Sequence, residues 1–154
     1  MLYPIFQYAY FVNDVEEAAH KWHRLYGAGP FVLVPHHKTE KFQYRGTKQE
    51  ADVSYGFGYL GDNQIQFIQQ HDETPSIYRD MYKKGEEGFH HAGCLVNDFA
   101  AARERMLGLG FANACELWAD DVNAAYFDTR EVNGGFTEIH GDPLHILATF
   151  AGWK

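Results

Sequence analysis

The sequence is poor in cysteine and lacks the signals that direct a chain out of the cell. It contains two cysteines among 154 residues, Cys94 and Cys115, and they form no Cys-x-x-Cys pair. Isolated cysteines on predicted strands are most simply buried thiols in a reducing compartment. The opening Met-Leu-Tyr-Pro-Ile lacks the basic segment and apolar block of a secretory signal. We therefore expect a cytoplasmic protein with free thiols.

An excess of positive charge and long apolar runs are also absent. The chain has 13 Lys and Arg against 21 Asp and Glu, which gives a formal net charge of −8. Nucleic-acid phosphates are bound by net basic surfaces, so this charge argues against a nucleic-acid partner. No run approaches the roughly 18 apolar residues that a membrane span needs. The expected partner is therefore neither a nucleic acid nor a membrane.

Aromatic residues, in contrast, are abundant. The sequence has 12 Phe, 10 Tyr and 3 Trp, and hydrophobic residues make up 45% of it. Most of these rings are expected to fill a core, and the surplus also suits an apolar pocket for an organic ligand. The length fits one domain, or two half-size modules that share a core.

A weak internal repeat organises the chain. The tripeptide Val-Asn-Asp occurs at 12–14 and again at 96–98, an offset of 84 residues that also relates Ala18 to Ala102. In each copy an apolar strand leads to an Asp suited to cap a helix, and further strands follow. This order predicts an α+β fold of two βαβββ modules, related by a pseudo-twofold axis and forming a cleft lined by curved mixed sheets.

The repeat also sets the predicted boundaries of one domain. The first βαβββ module covers 1–70, a connector covers 71–88, and the second module with a C-terminal tail covers 89–154. Within the connector, the apolar spacing of Pro75 to Lys84 predicts a helix that begins at the proline. The apolar tail from Pro143 to Trp153 is also predicted to be helical, and it suits packing within the chain or against a partner subunit.

Two polar residues occupy equivalent places in the repeat. Gln7 lies seven residues before the cap Asp14, and His91 lies seven residues before the cap Asp98. Both therefore fall on the first strand of their module. Because side chains on a strand alternate between its faces, the neighbouring His90 is predicted to face away from His91 and to pack or form a hydrogen bond.

The closing strands of the two modules supply Gln66 and Glu138, each between residues that face the other way. The four side chains are predicted to point into one cleft, with two amide oxygens, one imidazole and one carboxylate. Such a set suits zinc, nickel, cobalt, iron or manganese better than calcium. Alternatives remain open: Gln7 and Gln66 as exposed strand residues, and His91 as a hydrogen-bonded core histidine.

Four segments carry a family resemblance when they are taken together in order and spacing. They are Gln7–Asp14, Gly61–Ile68, Gly88–Gly93 and Phe136–Ile139. The chain resembles, over essentially its whole length, the vicinal oxygen chelate superfamily. This superfamily includes glyoxalase I, methylmalonyl-CoA epimerase, extradiol dioxygenases, and the fosfomycin and bleomycin resistance proteins. The second and third segments are most similar to the epimerase and glyoxalase I branches.

The resemblance implies paired βαβββ modules with metal ligands on the first and last strands of each, which match Gln7, Gln66, His91 and Glu138. It also implies that Glu138 acts as the acid/base, and that a homodimer forms, as in many relatives. Epimerases of the family usually have His then Gln at the first two ligand positions, and some glyoxalases have Gln then Glu. This chain has Gln at both, and an amide is a poorer metal donor. An extradiol dioxygenase, whose iron site needs two His and one Glu, is disfavoured.

Two functions follow from these observations. The first is a metal-dependent isomerase or lyase of the glyoxalase or epimerase type, which polarises a carbonyl or thioester and moves an adjacent proton. The alternative is a non-catalytic protein of the bleomycin-resistance type that binds or sequesters an apolar or aromatic ligand. In both cases the partner is a small molecule, expected to have a carbonyl and an apolar or aromatic part.

Two further sets of residues remain open in the sequence. An epimerase needs a second base, and its candidates are Glu50, Asp52, Tyr55 and His140. A cationic segment could contact the phosphates of a CoA-type substrate or simply be a solvated loop. Its members are Lys38, Lys41, Arg45 and Lys48.

Overall fold

In the computed structural model of the chain, residues 3–38, 42–118, 123–141 and 143–152 are described. They form ten strands and four helices. In chain order these are β1 (Ile5–Phe11), α1 (Val15–Tyr26), β2 (Val32–Lys38), β3 (Phe42–Tyr44), β4 (Thr47–Lys48), β5 (Asp52–Leu60), β6 (Asn63–Gln70), β7 (Gly88–Leu95), α2 (Phe99–Gly108), β8 (Asn113–Trp118), β9 (Asn123–Asp128), α3 (Arg130–Asn133), β10 (Phe136–His140) and α4 (Pro143–Ala151).

All ten strands belong to one curled mixed sheet with the order β2-β5-β6-β1-β7-β10-β9-β8-β3-β4. At its centre β1 pairs antiparallel with β7. On either side the pattern repeats, because β1 pairs parallel with β6 and β7 pairs parallel with β10. We refer to β1 to β6 as the first half and β7 to β10 as the second half. The predicted α+β fold with paired modules is confirmed.

The short hairpin of β3 and β4 departs from a simple two-module arrangement. By sequence it lies between β2 and β5 of the first half, yet β3 pairs with β8 at the edge of the second half. An ion pair joins the hairpin to the connector, since Arg45 Nη2 lies 2.6 Å from Asp80 Oδ2. Tyr44 Oη donates a hydrogen bond to Asp80 Oδ1 at 2.6 Å. The hairpin thus extends the sheet and ties the two halves together.

Both long helices begin at the aspartates that the repeat singled out. Asp14 accepts a hydrogen bond from the backbone N–H of Glu17 at 2.9 Å, and Asp98 accepts one from Ala101 at 2.9 Å. Each cap satisfies a backbone donor that the first helical turn leaves free. The apolar faces of α1 and α2 cover the outer surface of the sheet. The inner, concave surface is left for the core and the cavity described below.

The predicted helix between Pro75 and Lys84 is wrong. The segment forms turns, and Ser76 joins it to the end of β6. Its Oγ accepts hydrogen bonds from the backbone N–H groups of Tyr78 and Arg79 at 3.2 and 3.1 Å, and it donates to Gln70 Oε1 at 2.7 Å. The two contacts with backbone N–H groups are those of a helix N-cap, and the N–H groups of Asp80 and Tyr82 donate to the carbonyls four residues before them, but no regular helix follows within the described connector. The connector instead inserts Ile77 and Tyr78 into the core on the concave surface.

The C-terminal helix α4 closes part of the same surface. Ile146 and Phe150 are buried, and the Phe150 ring stacks on Phe6 and Phe57 with ring centroids 5.9 and 6.0 Å apart. Trp153, the predicted end of the tail, lies outside the described residues. Within the described residues, none of the helices has the length and apolar character that crossing a membrane demands.

The two cysteines are free and buried, as the sequence predicts.

Candidate metal centre in the concave sheet

A cavity of about 170 Å³ lies between the concave surface of the sheet and α4. Its polar lining comes from Gln7, His37, Gln66, Glu138 and His140. Its apolar and aromatic lining comes from Phe42, Tyr55, Phe57, Leu117, Ala124, Tyr126 and Phe150. None of the described residues that line it is Lys or Arg. The polar groups are therefore concentrated in an otherwise largely aromatic chamber.

The four predicted metal ligands lie on four adjacent strands, β6, β1, β7 and β10, at the centre of the sheet. All four are buried, with 2% of Gln7, 7% of Gln66, 0% of His91 and 3% of Glu138 exposed. His91 Nε2 lies 3.1 Å from Gln7 Oε1 and 3.3 Å from Glu138 Oε2. Gln66 lines the same cavity from the neighbouring strand. The structure thus brings three of the predicted donors into direct contact and places the fourth beside them.

A glycine makes this approach possible. Gly93 on β7 is the register partner of Gln7 on one side and of Glu138 on the other. A Cβ added at Gly93 would lie 3.1 Å from both Cβ and Oε1 of Gln7. That separation is tighter than ordinary van der Waals contact. The missing side chain therefore leaves the space over β7 in which Gln7 can reach towards His91.

Gln64 is a member of the site that the sequence analysis missed as a functional residue. Gln7 Nε2 donates a hydrogen bond to Gln64 Oε1 at 2.6 Å, which leaves Gln7 Oε1 directed at His91. The amide of Gln7 is thus oriented with its better metal-binding atom towards the cluster. Strand alternation contains the signal, because Gln64 and Gln66 share one face of β6.

The prediction that His90 faces away from His91 is wrong, although it does form hydrogen bonds. On β7 the pairing partner of Ala9 is His91 and that of Tyr10 is Phe89, so His90 is an extra residue in the ladder. Such a β-bulge disturbs the alternation of side chains and re-aims them. As a result, His90 Nδ1 lies 2.8 Å from His91 Nδ1, and both residues are fully buried.

Glu138 is held as a carboxylate by its surroundings. Burial alone would raise its pKa, but the positive charge of His140 and hydrogen bonds from His140 and His91 outweigh burial and lower the pKa well below its usual value. His140 Nε2 lies 2.8 Å from Glu138 Oε1. The other oxygen, Oε2, faces His91. Glu138 is therefore an anion with one oxygen anchored by His140 and the other directed into the cluster.

The donor set fits a divalent cation. Two ligands that bind one zinc-like ion at about 2.1 Å lie about 3.0 to 3.4 Å apart, and both contacts of His91 Nε2 fall in this range. Gln66 Oε1 is buried and has no hydrogen-bond partner among the described residues, which leaves a buried acceptor that a bound ligand or ion could satisfy. No group of three or more His, Cys, Asp or Glu in the described residues is arranged to hold a metal. A metal ion held by the four predicted residues would therefore need both amides as ligands.

The other candidates for acid/base chemistry separate into two groups. His140 and Tyr55 line the cavity, and the Tyr55 hydroxyl lies 3.1 Å from that of Tyr78. Glu50 and Asp52 do not line it. Glu50 pairs with Lys48 at 3.3 Å, and Asp52 pairs with His36 at 3.1 Å.

The cationic segment does not approach the cavity as a group. Arg45 forms an ion pair with Asp80, and Lys48 forms one with Glu50. The described residues of the cationic segment do not line the cavity. Lys38 is exposed at the end of β2. Lys41 lies outside the described residues.

The sequence matches the model of a known protein family. A family model described as the Glyoxalase/Bleomycin resistance protein/Dioxygenase superfamily matches residues 6–128, which is most of the chain. The chain belongs to this superfamily. Among functionally curated proteins, none matches the sequence.

Several solved structures share the fold. Methylmalonyl-CoA epimerase from Mycobacterium tuberculosis is 17% identical, with 94% of this chain and 91% of that chain covered and a TM-score of 0.63. A hypothetical protein from Bacillus halodurans C-125 is 14% identical, with coverages of 92% and 96% and a TM-score of 0.65. A variant of the Streptomyces coelicolor methylmalonyl-CoA epimerase, in complex with 2-nitronate-propionyl-CoA, is 14% identical, with coverages of 93% and 99% and a TM-score of 0.60. At these identities the likeness establishes the shared fold alone.

Proposed function

We propose that the chain is a metal-dependent isomerase or lyase of the glyoxalase or epimerase type. The observation that carries the proposal is the contact of His91 Nε2 with Gln7 Oε1 and Glu138 Oε2, beside the unpartnered Gln66 Oε1. These four residues would hold a zinc, nickel, cobalt, iron or manganese ion. When bound, the cation would stabilise negative charge on the oxygen of a carbonyl or thioester.

Glu138 is the proposed proton acceptor. Its surroundings hold it as a carboxylate, and it lines the cavity in which a substrate would bind. His140 anchors one oxygen of Glu138 and stabilises the anion between proton transfers. His140 lines the cavity, and its Nδ1 atom has no hydrogen-bond partner among the described residues. We assign His140 to the return of a proton to the substrate, after which Glu138 passes the proton that it accepted to His140 across their 2.8 Å contact.

The position of these two groups favours proton return on one face of the substrate. Glu138 and His140 lie two residues apart on one face of β10. An isomerase or lyase of the glyoxalase type moves a proton between neighbouring atoms and can use one wall of a cavity. An epimerase needs a second base from another direction, and His37 of the first half is the cavity-lining residue suited to that role.

The cavity also defines the substrate class. Its volume of about 170 Å³ is close to that of an apolar cavity of about 150 Å³ that accepts benzene. The aromatic lining suits an apolar acyl group or ring next to the reacting carbonyl. The lack of Lys and Arg among the described lining residues disfavours a second carboxylate on the substrate. We therefore propose a thioester or ketone with a small apolar or aromatic substituent.

The alternative is a ligand-sequestering protein of the bleomycin-resistance type. The aromatic lining and the two amide donors support it, because amides bind metals more weakly than imidazole or carboxylate. Under this alternative the cavity would bind an aromatic molecule without turnover.

Metal analysis combined with hydrogen exchange distinguishes the two. We expect protein purified without added metal to contain about one divalent ion per chain, as a four-ligand centre requires. In D₂O, it should exchange the hydrogen next to the carbonyl of a phenylacetyl or propionyl thioester. If the purified protein contains no metal and shows no exchange after Co²⁺ is added, the proposed enzymatic function is wrong. Tight binding of the aromatic thioester without exchange would support sequestration.

A homodimer is part of the proposal. The inner side of α4 packs within the chain, while Leu144 and Leu147 on α4 are 81% and 50% exposed. These leucines support a subunit contact through α4. Equilibrium sedimentation of the full chain measures the subunit number, and a monomer at all concentrations would contradict it.

Gly93→Ala tests the site without changing a ligand. The new Cβ would lie 3.1 Å from Gln7 Oε1, so Gln7 must shift away from His91. We expect Co²⁺ affinity to fall by about tenfold or more, as for other changes beside metal ligands. Gly108→Ala is the matched control, because a Cβ there meets nothing within 4 Å and the residue is helical. Equal Co²⁺ affinity in both variants would argue against Gln7 as a ligand.

A further inference from the structure

The β-bulge in β7 brings the imidazoles of His90 and His91 into contact, which regular strand alternation would not do. His90 is the extra residue between Phe89 and His91, and the bulge brings the two imidazoles edge to face, 5.1 Å between centroids. On a regular strand these rings would lie on opposite sides of the sheet. The bulge instead places His90 directly behind His91, on the side away from Gln7 and Glu138.

The hydrogen bonds of His90 have a fixed direction. His90 Nε2 lies 3.1 Å from the backbone oxygen of Ile77, and a carbonyl oxygen can only accept. The proton of His90 therefore lies on Nε2. In a neutral ring the Nδ1 atom is then a bare acceptor, and it lies 2.8 Å from His91 Nδ1. The N–H of this contact must accordingly belong to His91.

The surroundings of His90 support this assignment. Its side chain is fully buried, and the rings of Tyr78 and Phe136 pack against it with centroids 4.9 and 5.3 Å away. Burial, and then the neighbouring His91, hold the pKa of His90 well below its usual value. The imidazole is thus neutral and fixed in orientation, with one donor and one acceptor in use.

We propose that His90 is a positioning residue that accepts the Nδ1 proton of His91 and thereby aims His91 Nε2 at Gln7 Oε1 and Glu138 Oε2. A metal-binding histidine usually donates its other N–H to a carboxylate, a backbone carbonyl or water. Here the acceptor is a second histidine, His90, whose own Nε2–H donates to the backbone oxygen of Ile77 in the connector. The role in metal binding rests on the proposed function, whereas the direction of the hydrogen bonds does not.

Two variants at position 90 separate the acceptor from simple packing. His90→Leu fills much of the same space without an acceptor. His90→Asn places an amide oxygen close to the position of Nδ1, so it can still accept from His91. We expect Co²⁺ affinity to fall about 10- to 100-fold in His90→Leu and to be largely restored in His90→Asn. Calorimetric titration of the chelator-treated proteins measures both.

A spectroscopic measurement on the parent protein keeps the inference testable if the leucine variant does not fold. In ¹⁵N-histidine-labelled, metal-free protein, the ¹⁵N shifts should show a protonated Nδ1 for His91, and a protonated Nε2 with a bare Nδ1 for His90. A bare Nδ1 on His91 would overturn the inference, as would unchanged Co²⁺ affinity in His90→Leu or equal losses in both variants. A parent that binds no Co²⁺ but shows this tautomer would refute the metal centre and retain the positioning role.

Discussion

Glu138→Gln is expected to lower the rate of hydrogen exchange into the phenylacetyl thioester about 10³-fold at saturating Co²⁺. The substitution keeps the size of the side chain and removes the anion that would accept the proton. General-base catalysis is typically worth about 10²- to 10⁴-fold. Because Glu138 is held ionised by His140 and His91, its basic form is fully present at neutral pH in the parent. Exchange followed by NMR in D₂O measures the effect.

The control for this variant is Glu131→Gln. Glu131 is an exposed carboxylate on α3, and it does not line the cavity. Its substitution changes the net charge by the same amount and should leave the exchange rate unaltered. If Glu138→Gln exchanges hydrogen as fast as the control at saturating Co²⁺, another group must be the base.

His91→Ala is expected to weaken Co²⁺ binding more than about 100-fold, because partners of metal ligands alone are worth up to that factor. It should also lower the free energy of unfolding of the metal-free protein by about 3 kcal/mol. The side chain is fully buried, so its removal leaves a cavity, and it deprives the carboxylate of Glu138 of one of its two histidine contacts. Urea unfolding and calorimetric titration measure the two effects.

His20→Ala is the matched control for His91→Ala. The side chain of His20 is 79% exposed on α1, where it lies 3.8 Å from a carboxylate oxygen of Glu16. Substitutions at such surface positions usually change stability by less than about 0.5 kcal/mol. A parent-like Co²⁺ affinity in His91→Ala would contradict the proposed centre, even if the variant were destabilised.

Local sequence patterns were sufficient to predict the framework of the site. The caps Asp14 and Asp98 fix where each helix begins, and counting back seven residues from them gives Gln7 and His91. Strand alternation then gives the cavity-facing position of Gln66. These inferences succeed because they depend on short-range periodicity, which a regular strand or helix obeys.

The parts that sequence could not predict depend on contacts between distant segments. The β-bulge at His90 is a feature of the pairing between β7 and β1. The sequence of β7 alone does not predict it. The connector is bonded to Gln70 through Ser76, and its Ile77 and Tyr78 pack in a core built from distant strands. The pairing of Phe42 with Leu117 likewise joins segments that are far apart in the chain.

The β3–β4 hairpin makes the duplicated protein asymmetric. A cavity between two equal halves would offer the same environment to both ends of a ligand. The hairpin adds Phe42 to the wall near Leu117, and the corresponding edge at β2 carries His37 instead. The chamber is therefore asymmetric. Under the proposed function, a substrate with one apolar and one polar end would bind in a single orientation and would present one prochiral face of its reacting carbon.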